Sequence, residues 1–118
     1  MATSYELIEE RSKYYAFIEQ LNQAAAKVKE ALTYVTELKS KVEESYKVDD
    51  ESGDKRVIQK EIDNLKNIHH NIVDIMVPSC TNRINQISRN IQIAENNERI
   101  KAEQEAERKR RALENAVR

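Results

Sequence analysis

YYAFIEQLNQAAAKVKEALTYV, residues 14–35, decides the fold. Its apolar side chains fall at Tyr14, Ile18, Leu21, Ala25, Val28, Leu32 and Val35, in steps of 4, 3, 4, 3, 4 and 3. A strand alternates every second residue, whereas this spacing keeps one stripe on a helix and is the seam of a left-handed supercoil. Leu7 precedes the seam, and Leu38 with Val42 continues it after a small phase slip. A second row, Phe17, Ala24, Ala31 and Leu38, runs beside it seven residues apart. The stripe is therefore three columns wide, where a two-stranded seam needs two. Thr3 and Glu6 have the spacing of a capping box, so the spacing predicts one helix over 4–46.

The next ten residues, KVDDESGDKR, hold the only glycine and have no apolar period, so 47–54 is predicted as a loop with Asp54 as the next N-cap. A second helix is predicted over 55–94. Ile58, Ile62, Leu65, Ile72 and Met76 form its seam with Ile68 and Ile75 alongside, and Cys80, Ile84, Ile87, Ile91 and Ala94 resume it. Nine isoleucines and only seven charged residues lie between 57 and 94, the composition of a helix that is mostly covered. From Glu95 onward the chain is charge-rich. Glu95–Arg99, Glu105–Lys109 and Glu107–Arg111 sit at i, i+4, and the reading for 95–118 is a solvated helical extension, partly disordered toward its end.

The totals agree. In 118 residues there is one Gly, one Pro and 35% charge, which leaves little room for strands and tight turns. The fold class is all-α: a long antiparallel two-helix hairpin, coiled-coil-like, kinked near Pro78, with a charged C-terminal extension. Net charge is −1, without the basic field that nucleic acid requires. No apolar run reaches the length of a membrane span, and MATSYELIEERSK lacks the apolar centre of a signal peptide. A single Cys forms no internal disulfide and suits a cytoplasmic protein.

One stretch invites a chemical reading. NIHHNIVDIMVPSC, residues 67–80, holds both histidines, the proline and the cysteine. Adjacent His69 and His70 point about 100° apart on a helix and do not chelate one ion, while His70 and Asp74 are two ligands where zinc takes three or four. Cys80 is on the seam, where a free thiol acts as a small hydrophobe, and His69 reads as a polar notch in it. Pro78 removes a helix hydrogen bond and crowds the carbonyl of Asp74, Val77 is expected to leave helical angles, and Ser79 caps the helix if it restarts. The stretch reads as a structural bend. The basic cluster ERKRR, 107–111, is neutralised by Glu103, Glu105 and Glu107. One glycine precludes a phosphate loop, and a thin hairpin offers no concave site. The expectation is no enzyme, no cofactor and no metal.

The order of a heptad helix, the acidic loop YKVDDESGDK and an Ile-rich helix containing IMVPSCTNRINQISRNI resembles the small α-helical proteins encoded beside LXG-type toxins of the type VII secretion system in Gram-positive bacteria, distant cousins of the WXG-type hairpins. The likeness spans roughly residues 5–95. Two features differ. There is no Trp-x-Gly in the turn, which Gly53 alone marks. No tyrosine follows Tyr46, so the family's Tyr-x-x-x-Asp/Glu export signal is missing after the second helix, and Tyr46 with Asp50 has that spacing only at the loop. The resemblance implies a targeting or chaperone-like partner of the helical N-terminal domain of a toxin, with a second small helical protein as a further partner, and co-secretion by a route that reads no signal peptide. The residues expected to meet the partner are Phe17, Ile18, Leu21, Val28, Leu32, Ile68, Ile72 and Ile75. A self-assembling structural coiled coil, as a homodimer, is the alternative reading.

Overall fold

In a computed structural model that describes residues 2–46 and 53–117, every element is helical and no strand occurs among the described residues. Helix α1 spans Ser4–Tyr46, α2 Gly53–His70 and α3 Val77–Val117, with a π-helical turn, Asn71–Met76, between the last two. Thr3 caps α1: its Oγ1 accepts the Glu6 N–H at 3.2 Å, and its carbonyl accepts the Leu7 N–H at 3.1 Å. Helix α2 starts at Gly53, so Asp54 lies inside it rather than at its cap. Of the expected loop, residues 47–52 fall outside the described part, and Asp50 with them.

The contacts divide the chain into two units. In the first, Met1–Tyr14 with Asn82–Arg118, three cross-links set α1 against α3. Ser4 Oγ donates to Glu98 at 2.7 Å, Arg11 donates to Ser88 at 3.2 Å, and Arg83 donates to Glu10 at 3.2 Å. Ser4 meets residue 98, whereas Glu10 and Arg11, further along α1, meet residues 83 and 88, so the pair is antiparallel. Glu10 and then Tyr14 hold the Arg83 guanidinium further toward its charged form. Ile87 is fully buried one residue from Ser88. In the second unit, Tyr15–Thr81, Lys39 Nζ donates to Gln59 at 2.6 Å and Lys55 pairs with Glu43 at 3.1 Å, again antiparallel. Each unit is thus a piece of antiparallel helical hairpin.

Burial in α1 follows an unbroken 3–4 count: positions 4, 7, 11, 14, 18, 21, 25, 28, 32, 35, 39 and 42 are all buried or half-buried. We letter Ile18 as a and Leu21 as d of the heptad. The expected slip at Leu38 does not occur. Lys39 takes the a position, and Leu38 lies on the g flank, exposed. Ser4, Arg11 and Lys39 are polar members of the column; long stems cover apolar surface while their heads reach partners.

The second seam keeps the same count through 55, 58, 62, 65, 69 and 72, then steps five residues to 77 and resumes 80, 84, 87, 91 and 94, with 55, 62, 69, 77, 84 and 91 at a and the others at d. The five-residue step is the π turn. The Val77 N–H donates to the Ile72 carbonyl, an i→i−5 bond, and one additional residue is absorbed without turning the seam away. Val77 keeps helical angles, φ −63° and ψ −48°, so the expectation that Pro78 would expel it is corrected. The wider turn moves the Asp74 carbonyl that the Pro78 ring would otherwise strike and needs no N–H from the proline. Ser79 accordingly lies within α3 and caps nothing.

Helical conformation continues through the charged extension to Val117. Its ion pairs differ from the simple i, i+4 list. Glu107 does meet Arg111 at 3.1 Å, but Arg99 turns to Glu103 and Glu105 meets Arg108, both at 3.1 Å. These pairs are solvent-exposed and screened, so each adds little to stability.

Glu98 closes the N-terminus of α1 from the facing helix. Its two carboxylate oxygens accept the Ser4 N–H at 3.0 Å and the Ser4 hydroxyl at 2.7 Å. Those bonds, the backbone one first, hold the Glu98 carboxyl below its ordinary pKa. Because the folded value is the lower one, the stabilisation is fully present above the unfolded pKa and fades as pH falls through the folded one. Glu98→Gln should therefore lower the melting temperature at neutral pH, and the gap to wild type should close as the pH falls through and below the ordinary carboxylate range. Melting curves of both proteins across that range check it, and a gap independent of pH contradicts the assignment.

Candidate partner-binding face

Antiparallel helices that meet along a and d bring e flank to e flank and g flank to g flank; Glu10 against Arg83 is one g–g pair. In the second unit the two flanks are unlike. Across residues 39–43 and 55–63 the e side is closed by a polar ladder: Lys39 to Gln59, Gln59 to Asp63 at 2.9 Å, and Lys55 to Glu43; beyond the ladder the same flank exposes Tyr15 and Val73. The g side carries alkyl and aromatic groups instead. Phe17 is 42% exposed, Leu38 40%, Ile68 46%, Ile75 51% and Met76 39%. Ala24 and Ala31, half-buried, occupy the same g column of α1 between Phe17 and Leu38. The π turn contributes to this face: its added residue sets both Ile75 and Met76 beside the column, where a regular α-helix would set one.

The eight expected contact residues divide by depth. Phe17, Ile68 and Ile75 stand on the open flank. Leu21 and Ile72 are buried in the hairpin's own seam, and Ile18, Val28 and Leu32 are half-buried at seam positions. The structure thus brings Phe17, Ile68 and Ile75 onto one surface and turns the others toward the facing helix. Met76 and Leu38 belong with the first group. The apolar spacing puts Met76 on the seam and Leu38 on both the seam and the row beside it; the structure keeps Leu38 in the row alone, because the 3–4 count runs from Val35 to Lys39 and Val42.

His70 Nδ1 lies 2.7 Å from Asp74 Oδ2, with both side chains more than half exposed. His69 is half-buried on the seam and Cys80 is buried. No group of three His, Cys, Asp or Glu side chains that would hold a metal occurs among the described residues. Nor is any described helix long and apolar enough to cross a membrane. A half-open groove of about 300 Å³ in the first unit is lined by Ala2, Leu7, Asn90, Ile93, Ala94 and Asn97. Methyl, alkyl and amide groups offer neither a nucleophile nor a general acid or base.

Compared with known proteins, the chain matches no family model, no characterised sequence and no solved structure.

Proposed function

We propose that this protein is a non-catalytic helical binding partner that docks the helical N-terminal domain of an LXG-type toxin and promotes its type VII secretion. The observation that carries the reading is the asymmetry of the second unit. Ion pairs and amides close one flank across residues 39–43 and 55–63, while Phe17, Leu38, Ile68, Ile75 and Met76 form the longer open apolar run on the other. An open apolar column beside a filled seam fits a further amphipathic helix laid along it. The sequence resemblance supplies the identity of that helix, and the cytoplasm is where loading before export would occur.

The test is co-expression with the proteins encoded by flanking genes, followed by tagged purification and light scattering. A 1:1 complex with a larger protein's helical N-terminal domain, or a 1:1:1 complex including a second small helical protein, is the expected result. A protein that ignores every such neighbour contradicts the reading.

A further inference from the structure

Beyond toxin docking, we propose that the free protein forms a homodimer through the open g face, with α1 of each copy lying against α2 of the other. From Phe17 to Leu38 the face runs about 30 Å at about 1.5 Å per residue. At about 10 Å per helix it is about 20 Å wide, roughly 600 Å² per copy. Two such faces reach the lower range of specific interfaces.

The charges at its rim select the second copy and its orientation. Next outward from g on α1 is the c column, which holds Lys27, exposed Tyr34 and Lys41; on α2 the g column holds Glu61 beside Ile68, and the c column holds exposed Val57, Asn64 and Asn71. Lys27, Lys41 and Glu61 are exposed, and none takes part in an ion pair among the described residues. Within the chain, residue pairs at one level sum to 98, as in Lys39–Gln59 and Glu43–Lys55. A two-fold axis parallel to the helices preserves those levels between copies. It sets Lys27 level with Asn71 of the other copy, and Lys41 within four residues, about 6 Å along the axis, of Glu61. Both contacts occur twice. The alternative, with α1 antiparallel to its own copy about the middle of the same face, stacks Lys27 on Lys27. Opposite rims therefore favour the α1–α2 arrangement, and like charge disfavours the other.

Sedimentation velocity on the full chain reads the outcome. The expected species is a dimer of the 13.8 kDa chain, and Phe17→Glu should raise its dissociation constant about 30-fold or more with helicity unchanged. Lys41→Glu and Glu61→Lys should each weaken the homodimer several-fold. Mixing the two variants should restore wild-type affinity, because both cross-copy pairs then join opposite charges, one with signs exchanged and the other as in the wild type. A chain that stays monomeric to about 0.1 mM overturns the proposal. So does a dimer indifferent to Phe17→Glu, or a mixture that fails to recover. A monomer that still binds the toxin domain removes the dimer and leaves the functional reading standing. A dimer that binds no toxin domain does the reverse.

Discussion

Ile87→Ala should lower the unfolding free energy by about 2–5 kcal/mol, the range for emptying a fully covered aliphatic site. Ile87 has no exposed surface, and its neighbour Ser88 is tied across to Arg11, so the surrounding helices have little freedom to close over the void. Total stabilities of small domains are only about 5–15 kcal/mol, so the loss is a large share of what holds the chain folded. Ile93→Ala, six residues on, removes a side chain that is more than half exposed and should change stability by less than about 1 kcal/mol. Urea denaturation of the two variants beside wild type measures both values. Equal effects would mean that α1 and α3 do not pack as described.

The second large effect concerns chain length. The π turn holds one residue more than a regular helix requires, and the seam steps from Ile72 to Val77 because of it. Deleting Val73 in a Pro78→Ala background should therefore restore an uninterrupted 3–4 count and leave the melting temperature near wild type. The proline must be replaced because, in a regular α-helix, its ring would meet the carbonyl four residues earlier at a cost of about 3 kcal/mol. Deleting Gln86 instead leaves one residue, not two, between positions 84 and 87 of the buried seam and rotates everything beyond by about 100°. That variant should lose several kcal/mol or fail to fold cooperatively. If both deletions are equally harmful, the π turn is not where the additional residue is stored.

Much of this was legible in the residues alone. The 4, 3 steps from Tyr14 to Val35 and from Cys80 to Ala94 fix two amphipathic helices, and their burial follows those steps. The third column was legible too, because Phe17, Ala24, Ala31 and Leu38 recur every seven residues. What the pattern hid were places where hydrophobicity and position part company. Arg11 and Lys39 hold seam positions although they are charged, since a long stem lies along apolar surface while its head finds Ser88 or Gln59. Leu38 is apolar and near the seam yet stands outside it. At Pro78 the proline signalled a departure but not its form. A bend at Val77 and an inserted π residue before it both account for a slipped phase, and only the backbone hydrogen bond from Val77 to Ile72 distinguishes them. That choice shapes the open g face, because it moves Met76 off the seam and beside Ile68 and Ile75.

The most direct measurement combines co-purification of the toxin's N-terminal domain with circular dichroism on two variants, Phe17→Glu and Ile68→Glu. Both side chains are open on the g flank, so a charge there costs the fold little and places a carboxylate in the path of a docking helix. The expected result is loss of the complex with helicity and melting temperature close to wild type. Retention of the complex by both variants, or helicity that collapses together with binding, would contradict the account, because these residues would then be irrelevant to docking or part of the hairpin's own core.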